Sequence, residues 1–254
     1  WPDLTHAYAL YAPSAKKADP TLRGRFNIGE KLVLSVAREA RIVTVTGGVA
    51  FDAKGRHNLR SRRESGSLFE ATLPMTDADI REFEDFFHTL IAPPGIETTL
   101  KVQDRTVTLN SRTPVSTLEL TLPTVIADDD GNLKRSRRAT TVELYETTAD
   151  EVPHIYELGI PVVETEDRWH VNVQQKVPLN ADRDNVTPAY LAELRVAVLN
   201  EAAHLLDTED FSESWVTEAS SDERCTDAVT ERVMTARFGE KRVAYDPSNP
   251  EANR

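Results

Sequence analysis

The sequence predicts an α+β protein. Apolar residues recur at helical spacing between residues 76 and 90, and a second long helical pattern begins at Thr187. Between them, after the chain break Pro93-Pro94-Gly95, short runs rich in β-branched residues predict strands. Helices together with a block of strands are typical of this fold class.

Before that break, short elements follow one another closely. We expect a helix over residues 3–11, a polar loop over 13–23, and a helix from the glycine segment at 24–29 to about Ala40. Thr76 is expected to cap a helix that ends near Leu90. Strands are predicted at residues 41–46, 49–51, 57–62 and 66–73.

After the break, strands dominate until the long helix. Thr187 and Pro188 have the residue types of an N-cap and a first helical position, and the tail from Glu209 is predicted to be helical. We place the domain division at the break, which gives domains over residues 1–92 and 93–207 and a helical C-terminal extension over 208–254. A hairpin is predicted over 98–104 and 105–110, strands at 116–122, 139–145 and 169–177, and an exposed turn at 128–132.

Composition excludes several classes of protein. The chain has 254 residues and 39% apolar residues, and no apolar stretch approaches the roughly 20 residues of a membrane span. A net charge of −12 does not favour nucleic acid or anionic lipid as a partner, although residues 56–63 and 134–138 are basic clusters. The single cysteine, Cys225, excludes an internal disulfide and predicts a free structural thiol in a reducing cytoplasm.

The two ends of the sequence suggest a longer polypeptide. The chain opens at Trp1 without a methionine and closes at Arg254 inside a helix-like stretch. We therefore expect this chain to be a fragment.

The first candidate site is the run Gly24-Arg25-Phe26-Asn27-Ile28-Gly29-Glu30-Lys31-Leu32, which leads into a helical pattern. Glycines allow a close backbone approach, and a helix start offers unpaired N–H groups, so the run could hold a phosphate chain. Upstream, Ser14, Lys16 and Lys17 add a hydroxyl and two cations. A surface turn between two helices explains the same residues. A P-loop is excluded, because Glu30 precedes Lys31 and Leu32 stands where the hydroxyl belongs.

The second candidate is Gln174-Gln175-Lys176, at the end of an alternating strand. A lysine at a strand end can reach a phosphate as a mobile point charge, and a glutamine can donate a hydrogen bond beside it. A solvated strand end is the alternative interpretation.

These segments, with Ala12-Pro13-Ser14-Ala15-Lys16 and Gly66-Ser67-Leu68-Phe69-Glu70, resemble the GHKL ATPases. This family includes the B subunits of gyrase and topoisomerase VI, MutL, the ninety-kilodalton heat-shock chaperone and histidine kinases. The glycine run resembles their ATP lid, Ser67 stands in their later Gly-Thr strand, and Gln174 to Leu179 resembles the transducer-domain tip. The order and spacing of these segments agree across most of residues 1–190.

The resemblance implies a fold, a function and a site. The fold is part of a Bergerat-type α/β sandwich followed by a transducer-like domain similar to ribosomal protein S5. The function is cytoplasmic ATP binding, with hydrolysis and a conformational change in the intact protein. Lys176 is implied as the catalytic residue that contacts the γ-phosphate, and the implied ATP or phosphate ligands are Ser14, Lys16, Lys17, Gly24, Arg25, Phe26, Asn27, Ile28, Gly29, Glu30, Lys31, Ser67 and Gln174.

The sequence also departs from the family. The helix with a catalytic Glu and a magnesium-binding Asn is missing, as is the Asp-x-Gly-x-Gly segment that binds adenine. The implied cofactors are ATP and Mg²⁺, with the Mg²⁺ ligand expected upstream of this chain, so hydrolysis by this chain alone is not expected. Further implied partners are a second copy on ATP binding and another protein. A non-catalytic scaffold that keeps the fold without nucleotide chemistry is the alternative.

Other chemistries have weaker patterns. The six histidines are dispersed without metal-ligand spacing, and no Gly-x-Ser-x-Gly elbow occurs. The acidic triplet at residues 128–130 lacks the remaining ligands of a calcium loop and predicts a solvated turn. Residues 135–138 could touch a nucleic-acid backbone, but a charged strand flank is the simpler interpretation.

Overall fold

A computed structural model describes residues 4–9, 16, 18–22, 29–109, 111–127, 132–180, 185–242 and 248. The chain divides into two compact units. The first comprises residues 1–110 and 125–134, and the second comprises residues 111–124 and 135–254. These units describe packing, and the domains that the sequence places on either side of the break at residues 93–95 remain predictions.

The first unit contains an antiparallel four-stranded sheet. The elements are the 3-10 turn Leu4–Ala7, α1 (Gly29–Val36), β1 (Glu39–Val43), β2 (Gly48–Asp52), β3 (Gly55–Leu59) and β4 (Leu68–Thr72). The strand order is β3-β2-β1-β4. Only a small apolar cluster is fully buried among the described residues of this unit, with Ile42 and Val49 from the sheet and Ala7 from the 3-10 turn.

Helix α1 is shorter than predicted. It was expected to continue to about Ala40, but it ends at Val36 because the next residues join the sheet. The backbone N–H of Arg38 donates to the carbonyl of Thr72 at 2.9 Å, and Ala40 pairs with Ala71. Strand pairing therefore overrides the helical preference of this sequence. The helix predicted over residues 3–11 is likewise only a 3-10 turn among the described residues.

A predicted helix and a predicted hairpin of the first unit are confirmed. Helix α2 (Asp77–Thr89) begins at Thr76, whose hydroxyl and backbone N–H exchange hydrogen bonds with Asp79 in a capping box. The predicted hairpin is formed by β5 (Thr99–Val102) and β6 (Arg105–Thr108).

The second unit contains a mixed five-stranded sheet. Its strands are β7 (Ser116–Ala127), β8 (Leu133–Glu146), β9 (His154–Glu157), β10 (Ile160–Glu164) and β11 (Trp169–Val173). The strand order is β10-β9-β11-β8-β7. Strand β11 lies between β8, its antiparallel neighbour, and β9, its parallel neighbour. The short strands β9 and β10 were not predicted.

Helices cover one side of this sheet. The main apolar core joins inward strand residues such as Trp169 to helix residues such as Leu194 and Trp215. Cys225 is buried at the edge of this core as a free thiol. The helices are α3 (Pro188–Ala202), α4 (Ser214–Ser220) and α5 (Asp227–Phe238), with 3-10 turns at Ala203–Leu205 and Asp210–Ser212.

The observed elements confirm the α+β class. Thr187 is the N-cap residue of α3 and Pro188 its first residue, although the Thr187 side chain makes no capping hydrogen bond. Within the described residues, none of the helices has the length and apolar character needed to cross a bilayer.

Candidate functional site

The candidate site in the second unit is built on β11. Its side chains alternate, so Trp169, Val171 and Val173 enter the apolar core while His170 and Asn172 face the opposite side. His170 is opposite Tyr145 of β8, and Asn172 is opposite Glu143. The chain then continues into the segment Gln174–Lys176, which we call the Gln-Gln-Lys segment.

Glu143 organises the polar side of the sheet. One of its oxygens, Oε2, accepts hydrogen bonds from the Tyr145 hydroxyl at 2.8 Å, Asn172 Nδ2 at 2.9 Å and Gln174 Nε2 at 2.7 Å. Asn172 Oδ1 in turn accepts the backbone N–H of Gly159 at 2.8 Å. Gln174, a predicted phosphate ligand, is therefore held in one orientation by a carboxylate.

The next two residues of the Gln-Gln-Lys segment are buried. Gln175 and Lys176 are each 1% exposed. Gln175 Nε2 donates to the carbonyl of Leu122 at 3.3 Å, and its Oε1 has no hydrogen-bond partner among the described residues. The hydroxyl of the fully buried Thr124 donates to the carbonyl of Lys176 at 2.7 Å. Strand β7 thus fixes the main chain that presents Lys176.

A second carboxylate lies on the other flank of Lys176. Glu157, at the end of β9, accepts the backbone N–H of Val177 at 2.8 Å. Tyr190 on α3 is 2% exposed, and burial, followed by the negative charge of Glu157, raises its pKa. The phenol therefore stays protonated near this carboxylate.

In the first unit, the predicted ligands Gly29, Glu30 and Lys31 form the first turn of α1. Lys31 is 7% exposed, and its Nζ donates to the carbonyl of His6 at 2.9 Å and to Glu30 Oε1 at 3.0 Å. The ammonium group thus ties α1 to the 3-10 turn. These contacts do not test the predicted role of Lys31 in phosphate binding.

The remaining predicted ligands are distributed as follows. Lys16 is exposed, and Ser67 is exposed directly before β4, next to Gly66 with a φ of +67°. The others lie outside the described residues, namely Ser14, Lys17, Gly24, Arg25, Phe26, Asn27 and Ile28. The structure thus brings Gln174 together with Lys176 in one unit and Gly29 with Glu30 and Lys31 in the other.

A second polar cluster lies near the start of β11. Arg112 binds Glu151 through both of its terminal nitrogens, and Glu151 Oε2 lies 3.5 Å from His170 Nε2. The backbone N–H of His154 donates to His170 Nδ1 at 3.1 Å, so neutral His170 has its proton on Nε2. The Tyr156 ring packs edge-on against His170.

The electrostatics of this cluster follow from burial and from Arg112. Its hydrogen bond to Glu151 lowers the pKa of that carboxyl to about 2. Burial lowers the pKa of His170, with a further contribution from the positive charge of Arg112. Burial also raises the pKa of Tyr156 to about 12. At neutral pH the cluster therefore contains an ion pair beside a neutral histidine and a neutral phenol.

The described part of the chain contains no group of three or more His, Cys, Asp or Glu side chains that could hold a metal ion. No protein-family model matches the sequence, and no curated protein matches it.

Sequence reasoning missed several residues that shape this site. Glu143, Asn172 and Thr124 belong to predicted strands, or lie just beyond one, but their pairing across the sheet could not be seen in one sequence. The sequence did contain one usable signal. Along β11 the apolar residues Trp169, Val171 and Val173 alternate with the polar residues His170 and Asn172. Such alternation predicts that one side of the strand is apolar and the other polar.

Proposed function

We propose that this chain belongs to a GHKL-type ATPase and takes part in binding ATP. In this proposal residues 1–92 are the lid side of a Bergerat-type sandwich, and residues 93–207 form a transducer-like domain. The proposal is supported by the order of three segments. Gly29 opens a helix, Ser67 precedes a strand, and the Gln-Gln-Lys segment follows the central strand of a sheet.

The observation that supports the proposal most strongly is the burial of Lys176 in a fixed main chain. Lysine is almost never fully buried unless it is paired, so Lys176, at 1% exposure, marks a position where the fold holds this cation in a defined place. The carbonyl of Lys176 is bonded to Thr124, and Gln174 is bonded to Glu143. The main chain of Lys176 and the side-chain amide of Gln174 are therefore already ordered, which would reduce the entropy lost when a γ-phosphate binds beside them.

The chemistry assigned to each part is limited to binding and sensing. The backbone amides of residues 24–29 would hold the phosphates, with Lys16 or Lys17 nearby. Lys176 would contact the γ-phosphate, and loss of that phosphate would remove the contact and change the conformation. The described residues offer no cluster that fits Mg²⁺, so we assign no Mg²⁺ ligand and no hydrolytic step to them.

A binding experiment tests this function directly. We would measure the affinity of the chain for Mg·ATP and Mg·ADP by isothermal titration calorimetry. The wild type should bind ATP at least about tenfold more tightly than ADP, a difference of about 1.4 kcal/mol. Lys176→Met keeps the apolar stem without the charge and should reduce this preference to about twofold. In any longer form that hydrolyses ATP, Lys176→Ala should strongly depress turnover.

Two further variants make the result decisive. Lys101→Met removes an exposed lysine on β5 and should leave the ATP preference unchanged. Gln174→Ala should weaken ATP binding without removing a buried charge, so it still tests the site if Lys176→Met unfolds. An unchanged ATP preference in folded Lys176→Met, or wild-type affinity in Gln174→Ala, would contradict the assignment.

A non-catalytic scaffold is the second candidate function. It is favoured by Lys31, whose ammonium group is bonded to His6 and Glu30 within the first unit. The scaffold hypothesis predicts that neither ATP nor ADP binds at millimolar concentration, with or without the Lys176 substitution. The same titration therefore separates the two functions.

A further inference from the structure

A row of arginines along the edge of the four-stranded sheet has no part in the proposed function. Between Lys54 and Arg63 the sequence has five cationic residues and no acidic one, although the whole chain has a net charge of −12. We call Arg56, Arg60 and Arg62 the arginine row. Strand β3, which contains Arg56, is an edge strand of its sheet, so this side of it pairs with no other described strand.

The row borders an open cavity. The cavity has a volume of about 530 Å³, and one wall is formed by Asn58, Arg60 and Arg62. The β1–β2 turn, Thr46 to Gly48, also lines the cavity. Gly48 allows this close approach, because a Cβ atom there would lie 3.1 Å from Leu59 Cβ and 3.3 Å from the carbonyl of Ser61.

The guanidinium groups of Arg60 and Arg62 are available to a ligand. Arg60 and Arg62 are exposed, and neither has an ion-pair or hydrogen-bond partner among the described residues. Several other arginines are paired with carboxylates, as in Arg41–Glu70, Arg105–Glu84 and Arg195–Asp167. Within an acidic chain, Arg60 and Arg62 therefore form a local positive patch.

The main chain of the row is also held in place. Arg56 lies with its guanidinium carbon 4.5 Å from the centre of the Tyr8 ring, a cation–π contact. The backbone N–H of Arg63 donates to the carbonyl of Thr44 at 3.0 Å, which fixes the segment after β3 against the β1–β2 turn. A ligand would therefore meet cations whose backbone positions are already ordered.

We propose that the arginine row binds the phosphate backbone of a nucleic-acid strand without reading its bases. Residues two apart in an extended chain are separated by roughly 6.6 Å, which is comparable to the spacing of successive phosphates along an extended strand. Arginine matches phosphate oxygens bidentately. The Arg56 guanidinium covers one face of the Tyr8 ring, and Phe51 contacts this ring edge-on, so the aromatic group next to the row is already engaged within the first unit.

The same residues favour a phosphodiester chain over a membrane surface. Among residues 54–63 the one large apolar side chain is Leu59, which is half-buried and cannot insert into a bilayer. The rest of the chain is strongly negative, so it would repel those parts of a polyanion that extend beyond the arginine row. Binding should therefore be local, weak and steeply dependent on salt.

Fluorescence anisotropy with a labelled single-stranded oligothymidine, measured between 50 and 200 mM salt, tests this proposal. Three contacts predict that log K falls with log salt at a slope of about −2 for a single strand. The double variant Arg60→Gln/Arg62→Gln should bind at least about tenfold more weakly at 50 mM salt, with a slope shallower by about 1.4. Both side chains are exposed, so the variant should keep the wild-type melting temperature.

The control removes the same charge elsewhere. Arg81 on α2 and Lys101 on β5 are exposed, and Arg81→Gln/Lys101→Gln should bind the oligonucleotide like the wild type. If both double variants lose binding equally, binding depends on the total charge of the protein and not on the arginine row, and the proposal is overturned. So would failure of the wild type to bind at 50 mM salt, or binding only to phosphatidylserine vesicles. The experiment needs no ATP, so its outcome is independent of the proposed function.

Discussion

The hydroxyl of Thr124 and the main-chain carbonyl of Lys176 are joined by a buried hydrogen bond of 2.7 Å. The two residues are 52 positions apart, and the bond links the middle of β7 to the segment after β11. It fixes the position at which the second unit presents its buried lysine.

Replacing Thr124 with valine should therefore destabilise the protein. Valine keeps the shape of threonine but leaves the buried Lys176 carbonyl without this donor, which should lower the free energy of unfolding by about 1–3 kcal/mol. Urea unfolding measures the change. Thr141→Val is the matched control, because the Thr141 hydroxyl bonds Glu119 at an exposed site and should cost much less. Equal losses in the two variants would refute the structural role of Thr124.

Glu143 and Gln174 should be energetically coupled. Gln174 Nε2 donates to Glu143 at 2.7 Å, so a double-mutant cycle with Glu143→Ala and Gln174→Ala should give a coupling energy of about 0.5–3 kcal/mol. Gln175 is the control, because its amide donates to Leu122 instead. The Glu143–Gln175 cycle should be additive within about 0.5 kcal/mol. A larger coupling to Gln175 than to Gln174 would contradict the described network.

His170 should make the stability of the protein fall in mild acid. Burial lowers its pKa in the folded state below the ordinary value near 6.5, so the unfolded chain binds more protons once the pH drops below that value. The stabilisation is complete above about pH 6.5 and is lost as the pH falls toward the folded-state pKa. The urea midpoint should therefore be lower at pH 5.5 than at pH 7.5.

A non-titrating replacement tests this origin. His170→Asn places an acceptor near the position of Nδ1, where it can still bind the backbone N–H of His154, and should remove most of the midpoint difference between the two pH values. His88→Asn changes an exposed histidine on α2 and should leave the difference as in the wild type. If His170→Asn retains the full pH dependence, another group causes it.

Replacing only one partner of the ion pair between Asp167 and Arg195 should destabilise the protein strongly. Asp167 Oδ1 and Oδ2 accept hydrogen bonds from Arg195 at 2.7 and 3.2 Å, and burial raises the pKa of Asp167 despite this partner. Arg195→Met leaves a buried carboxylate alone and should lower the free energy of unfolding by about 3–5 kcal/mol. The measurement is again urea unfolding at pH 7.

The double replacement provides the internal comparison. Asp167→Leu/Arg195→Met removes both charges, so it should be more stable than Arg195→Met alone. If the double variant is less stable than Arg195→Met, the unpaired Asp167 charge is not the main cause of the destabilisation, and this expectation is contradicted.

The sequence predicted best those elements whose ends have local chemical signals. Thr76, with Asp79 three residues later, predicts a helix start from one turn of sequence, and the structure forms the capping box there. Pro188 similarly marks the start of α3. The turn between β9 and β10 is less visible, because its first residue is Leu158, which has a φ of +53° although leucine does not favour this conformation, and only Gly159 after it signals a turn.

The site was predictable only in its chemistry. The run Gln174-Gln175-Lys176 predicted a polar strand end, and the structure places it after β11. It could not predict that Glu143 and Thr124 would hold this run, because those contacts depend on which strands are neighbours. The end of α1 shows the same limit, since Val36 is its last residue only because the following residues pair with β4.

The position of β11 has a consequence for the order in which the protein can assemble. Strands β9 and β10 pair with each other, and β7 is a neighbour of β8, but β11 is the strand that joins these two pairs. A growing chain that has emerged only as far as residue 165 therefore contains two separate strand pairs and no continuous sheet. Only when Trp169–Val173 is available can it insert between them. Until then the pairing edges of β8 and β9 stay open, so translation speed and chaperone protection should matter most over this interval of synthesis.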